Sequence, residues 1–125
     1  MKEKLITEKV IGCAYTVYNK MGSGFLESVY EKCLKIELLK LGLKVETQKP
    51  IEVRYEGKIV GEFVSDILVE GNIIVELKAI HQLNKIHEAQ LVNYLTATGL
   101  DIGLLINFSD ECVQVKRKVR VLNKK

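Results

Sequence analysis

The chain is short of proline, of long apolar runs and of cysteines that could pair. A single proline, Pro50, among 125 residues with 47% hydrophobic content argues against an extended or disordered chain. It leaves one compact domain, residues 1–125, with enough apolar material for a core. No apolar run approaches the roughly 20 residues needed to cross a bilayer. The opening MKEKLITEKVIG mixes acidic and basic residues where a signal peptide would carry a basic end and then an unbroken apolar stretch. A cytoplasmic protein with no membrane role is the expectation. Cys13, Cys33 and Cys112 are odd in number, far apart, and form no CxxC pair near His81 or His87, which argues against structural zinc and against a disulfide framework. Buried free thiols are expected. There is no linker, low-complexity segment or internal repeat.

Acidic residues are missing from one place. Residues 116–125, KRKVRVLNKK, hold six of the 19 basic residues and no acidic one, leaving the body with 13 basic against 16 acidic. Alternation sets Val113, Val115, Arg117, Val119 and Val121 against Gln114, Lys116, Lys118 and Arg120, a strand with one cationic face. Two readings stand: an edge strand protected by lysines, or a nucleic-acid-binding surface in which Lys116, Arg117, Lys118 and Arg120 meet phosphates.

Periodicity supplies the elements. Ile6, Val10, Cys13, Ala14, Val17 and Met21 recur at helical spacing, so residues 4–21 should form a helix ending at Gly22. A second helix, about 25–41, follows the GSG break, with Gly42 placed to stop it. Residues 51–55 and 59–69 should be strands around a Glu56-Gly57-Lys58 turn, and 73–79 a third strand after Glu70-Gly71-Asn72. Helix returns at 84–98, and GLLINF, 103–108, reads as a buried strand before the basic one. The fold class is α/β, in the order α-α-β-β-β-α-β-β.

Within this frame, SDILVEGNIIVELKA, residues 65–79, holds charge where an interior strand should be apolar. A period of two puts Ile73, Val75, Leu77 and Ala79 on one face, and Ile74, Glu76, Lys78 and Ile80 on the other. If Glu70-Gly71-Asn72 is a three-residue loop, Val69 pairs with Ile73, and Asp66 falls opposite Glu76, where like charges are destabilising without a cation between them. A two-residue loop would separate them. Lys78 beside Glu76 also fits a simple salt bridge. Glu27, in GFLESVY, fits half of a capping box with Gly24 as N-cap, and Gln90 and Tyr94, one helical turn apart with His87 on the same face, fit a polar helix border.

Taken together, Gly24, Glu27 and Tyr30, the aspartate of VSDILVE, the VELKA strand, the EAQLVNYL helix and GLLINF resemble the GxxExxY family of the PD-(D/E)XK nuclease superfamily over nearly the whole chain. The Gln90–Tyr94 pair resembles the QxxxY element of RecB-type exonucleases, and Ser65 stands where the superfamily carries a proline. The resemblance implies a restriction-endonuclease-like core, a mixed sheet of four or five strands flanked by helices. It implies Asp66, Glu76 and Glu27 as ligands of Mg²⁺ or Mn²⁺ with the Leu77 backbone carbonyl, Lys78 orienting a water, and Gln90 and Tyr94 positioning phosphate or water. His87 is not expected as a ligand. The function implied is metal-dependent hydrolysis of phosphodiester bonds, in DNA rather than RNA, at ends or on single strands. Specificity would come from a protein partner or a homo-oligomer. The alternative is a nucleic-acid-binding or regulatory module that keeps the fold without cutting.

Overall fold

The structure is a computed structural model that describes residues 2–120. Two helices, α1 (Lys2–Met21) and α2 (Glu27–Lys40), precede strands β1 (Val45–Tyr55), β2 (Lys58–Val69) and β3 (Ile73–Lys78). Helix α3 (Lys85–Thr98) then leads to β4 (Ile102–Phe108) and β5 (Val113–Val119). The five strands form one sheet in the order β1-β2-β3-β4-β5. All neighbours are antiparallel except β3 and β4, whose parallel pairing requires a crossover, supplied by α3. Of the basic end, Val121, Lys124 and Lys125 lie outside the described residues. No described helix is long and apolar enough to cross a membrane.

Each face of the sheet has its own core. Ile67, Val69, Ile73, Val75, Leu77, Leu104 and Ile106 pack under α1 and α2, whereas Leu68, Ile74 and Leu105 pack under Leu91 and Leu95 of α3. The alternation expected along β3 is therefore real: its odd-numbered residues meet α1 and α2, and its even-numbered residues face α3. Cys13 is buried and Cys33 half-buried, but Cys112 is exposed on the loop before β5, which corrects the expectation of three buried thiols.

The two hairpins differ. Val69 pairs with Ile73, so Glu70-Gly71-Asn72 is the three-residue loop expected. At the other hairpin Tyr55 pairs with Lys58, leaving a two-residue turn rather than three. Glu56 and Gly57 both take positive φ, 50° and 81°, the conformation of a tight hairpin turn that follows strand twist. β1 also begins six residues before the expected strand, at Val45. Its Pro50 is tolerated because β1 is an edge strand.

A cluster of rings fixes α1 and α2 over the end of β4. The Tyr30 ring stacks on Phe108 with centroids 4.3 Å apart, and Tyr18 stacks on the same ring at 6.4 Å. Tyr30 is fully buried, and its hydroxyl donates to the Gly22 carbonyl at 2.6 Å, tying the Gly22–Leu26 connection to the core. On the other face α3 approaches β4 closely at Gly103, where a β-carbon would stand 2.8 Å from Leu91 Cδ1. Gly103→Ala should therefore push α3 off the sheet and lower stability by about 1–3 kcal/mol, the scale of overpacking a core. An unshifted urea midpoint would show that Leu91 absorbs the methyl group.

Candidate functional site

The β2–β3 ladder stops one step short of Asp66 and Glu76. Paired positions run from Val69–Ile73 to Ile67–Val75, so Asp66 and Glu76 are the next opposed residues, as the three-residue loop requires. Side chains then replace ladder bonds. The Asp66 N–H donates to Glu76 Oε2 at 3.3 Å, and the Leu77 N–H donates to Asp66 Oδ2 at 2.9 Å. Each carboxylate thus accepts from the opposite strand's backbone, which fixes the two acids against each other on the α3 face.

Burial and proximity govern their charge. Glu76 is pushed up to about 8, first by burial and then by the Asp66 carboxylate. The Asp66 N–H hydrogen bond and the nearby Ser65 hydroxyl, which itself donates to the Ile67 carbonyl at 3.3 Å, pull the other way, and Lys78 is the weakest influence of the five. A Glu76–Lys78 salt bridge does not describe this strand. Ser65, the departure from the superfamily proline, is fully buried and supplies a hydroxyl that proline lacks.

Helix α3 brings its residues to the same place. Burial and the charges of Glu76 and Asp66 raise the Tyr94 phenol, and the nearby Gln90 side chain partly offsets this. The Tyr94 ring stacks on Phe63 of β2 at 3.6 Å between centroids. His87 serves the helix instead: its Nδ1 accepts from the Asn84 N–H at 3.2 Å while the Asn84 side chain accepts from Ile86 and His87, a reciprocal cap. Lys78 is half-buried at the end of β3, in register with Asn107. Asn107 is fully buried and holds the chain just beyond Lys78, accepting from the Ile80 N–H and donating to the Ile80 carbonyl, both at 2.9 Å. The Leu77 carbonyl belongs to the residue whose N–H Asp66 already holds.

Glu27 is placed differently from its expectation as a cap. The N-cap of α2 is Leu26, not Gly24, and no side chain caps it, so Glu27 is the first helical residue and lies exposed. Among the described residues no group of three His, Cys, Asp or Glu side chains is close enough to hold a metal ion. Glu27 therefore does not complete a three-carboxylate cluster with Asp66 and Glu76. One helical turn on, Glu31 accepts from Gln48 Nε2 at 2.7 Å, and its carboxyl is raised by burial, with the Asp66 charge adding to the effect. Gln48 lies opposite Asp66, between the pairs Thr47–Ile67 and Lys49–Ser65, with φ of 52°, a costly conformation for a non-glycine residue in a strand. Glu31, Gln48, Phe63 and Asn107 had no signal in the sequence, because each gains meaning only through a partner on another element.

The basic strand divides. Lys118 pairs with Glu88 of α3 at 2.6 Å, and Arg120 pairs with Asp101 at 2.9 Å. Lys116 and Arg117 are exposed on opposite faces of β5.

The family model of the PD-(D/E)XK nuclease superfamily matches residues 4–120. The chain belongs to this superfamily. No curated protein matches it. Among solved structures, the crystal structure of SSO0001 is similar at 19% identity and a TM-score of 0.59, over 78% of this chain and 52% of that one. An alkaline exonuclease, LHK-Exo from Laribacter hongkongensis, is similar at 16% identity and a TM-score of 0.46, over 70% of this chain and 52% of that one. The chain thus spans about half the length of either structure. The SSO0001 likeness shows a shared nuclease-type fold, the mixed five-stranded sheet between helices.

Superfamily nucleases use divalent metals, and the donors here suit a hard cation. Mg²⁺ is commonly held by one or two carboxylates with waters filling the remaining positions, so two carboxylates placed as Asp66 and Glu76 are a minimal donor set for it. A carboxylate that keeps its proton to about pH 8 beside another carboxylate is a group short of positive charge.

The consequence for stability has a definite sign. Folded Glu76 binds its proton up to about pH 8, whereas an ordinary glutamate releases it near 4.5. Between those values the unfolded state holds fewer protons, so metal-free stability falls as pH rises. Glu76→Gln keeps the shape and removes the titration. It should match the parent at pH 4 and exceed it at pH 8 by several kcal/mol, with about 5 kcal/mol as a ceiling. Urea midpoints at the two pH values measure this, and a variant less stable than the parent at pH 8 would restore the salt-bridge reading.

Proposed function

We propose that the chain is a Mg²⁺- or Mn²⁺-dependent nuclease that hydrolyses phosphodiester bonds of DNA, acting at ends or on single strands in the cytoplasm. The observation that carries this reading is the opposed Asp66–Glu76 pair on the sheet face that carries Lys78 and lies under helix α3, whose Tyr94 lies within the field of both carboxylates. Asp66, Glu76 and the Leu77 carbonyl would hold the ion, with exposed Glu27 reaching in only through water. When bound, the metal would polarise a phosphodiester oxygen and lower the pKa of a water.

The chain's own residues do the rest. Lys78, its strand end latched by Asn107, orients the attacking water and opposes charge developing on the phosphate. Tyr94, held by the Phe63 ring, donates a hydrogen bond from its phenol to a phosphate oxygen and stays protonated because burial and the neighbouring carboxylates raise it. Gln90, one helical turn from Tyr94, would help position the phosphate or water. Sequence specificity would come from a protein partner or from a homo-oligomer.

One observation favours the alternative of a non-cutting nucleic-acid-binding or regulatory module: among the described residues no third side chain joins Asp66 and Glu76 in a group that could hold a metal ion. A cleavage screen over linear duplex, circular and single-stranded DNA plus RNA, with and without Mn²⁺, separates the two. Lys78→Ala should keep the fold and the rise in melting temperature caused by Mn²⁺, while losing roughly 10² or more in rate. Undiminished cleavage by that variant would remove Lys78 from the mechanism.

The basic strand needs point variants rather than truncation. Residues 116–119 pair with β4, so deleting them would damage the sheet. Lys116→Ala and Arg117→Ala should each lower the salt dependence of nucleic-acid binding by about one phosphate contact. An unchanged salt slope in both would make β5 a solvated edge.

A further inference from the structure

A cavity of about 410 Å³ opens at the ends of β3 and β4, between them and the connection that precedes α2. Its walls continue directly from site residues: Leu26 precedes Glu27, and Ala79 and Ile80 follow Lys78. Buried Phe108 forms its floor, while Phe25 is 41% exposed and Leu26 75% exposed at its edge. The Phe25 ring is braced edge-on by Tyr30, with centroids 6.0 Å apart at 87°, and the Phe25 N–H donates to the Tyr30 hydroxyl at 3.3 Å. The exposed Phe25 ring is thus held at the cavity's edge by a buried strut. At the rim, His81 Nδ1 contacts Asp110 at 3.0 Å, leaving Nε2 to meet a polar ligand edge.

We propose that this cavity seats an unpaired nucleobase of the substrate strand, with the Phe25 face stacking on the base, Leu26 closing over it, and His81 and Asp110 meeting its polar edge. The inference rests on the nuclease reading and specifies the substrate class for the same site. A base inside a duplex is already stacked on both sides and cannot enter a pocket without being extruded. A terminal or single-stranded base has a free face, and stacking on aromatic side chains is how proteins hold such bases without reading sequence. Leu26 and Ala79 adjoin Glu27 and Lys78 in the chain, so a base seated here lies at the Lys78 end of β3, and a pocket that takes only unstacked bases selects ends and single strands.

The test uses the full chain with Ca²⁺ in place of Mg²⁺, to limit cleavage. Binding is measured by fluorescence for a single-stranded oligonucleotide carrying 2-aminopurine and, by a second label, for a closed duplex circle without ends. The parent should quench the 2-aminopurine signal. Phe25→Ala and Leu26→Ala should each weaken single-strand binding about tenfold, the scale of losing one stacked base, and abolish most of the quenching, with circle binding unchanged. Leu26→Ala guards against a folding artefact, because that side chain is mostly in solvent. Parent-like affinity and quenching in both variants would overturn the base pocket while leaving the nuclease reading intact. Equal losses on single strand and circle would also overturn it, pointing to phosphate contacts alone. A parent that binds neither nucleic acid would sink both the pocket and the nuclease reading.

Discussion

The opposition of Asp66 and Glu76 is the constraint around which the sheet is arranged. Two carboxylates facing each other where a ladder should continue would ordinarily push β2 and β3 apart. They stay in place because each accepts a backbone N–H from the other strand, and because Glu76 keeps its proton while buried. Behind them, Ile67, Val69, Val75 and Leu77 are locked into the core under α1 and α2. The strands cannot relax by slipping, since a one-residue shift would turn that apolar set toward α3 and water. Hydrophobic register therefore holds an electrostatically unfavourable pair together, and the pair is pre-organised for a cation as a result.

Residues that look chemical in the sequence divide between scaffold and site. Tyr30 and His87 serve the scaffold: the first ties the Gly22–Leu26 connection to the core, the second caps α3. Tyr94 belongs to both, since its ring packs on Phe63 while its hydroxyl lies within the field of the two carboxylates. A phenol held by stacking keeps its position without using its hydroxyl, which remains available for a ligand.

Local patterns were legible, and cross-element partnerships were not. The alternation of β3, the three-residue loop after Val69 and the stop at Gly22 all follow from a few adjacent residues, and they locate the carboxylate pair. The first half of β1 was hidden because VETQKP is polar and ends in proline, a composition that suits only an edge strand, and edge position is a property of the sheet. The cap of α2 was misplaced because Gly24, with φ of 96°, bends the chain but sits two residues before the N-cap Leu26. The basic strand reads as uniformly cationic in sequence, yet Glu88 and Asp101, from α3 and the loop after it, take two of its four charges. Glu31 and Gln48 gain significance only when β1 lies beside β2.

The location of the site follows from where apolar cover ends. Helix α3 crosses its face of the sheet obliquely, from Glu88 over β5 to Tyr94 over β2. Leu91 and Leu95 cover Leu68, Ile74 and Leu105 completely. The next even-numbered residues of β3, Glu76 and Lys78, lie past that cover and are only half-buried. Along one strand face the environment thus changes from dry at Ile74, through a carboxyl too buried to ionise readily at Glu76, to a lysine at the solvent boundary. A fully covered strand could not admit a phosphate, and a fully exposed one would leave Glu76 an ordinary solvated carboxylate. Gly103 sets this balance, because the missing β-carbon lets Leu91 lie close on β4 and so fixes how far the apolar cover of α3 extends.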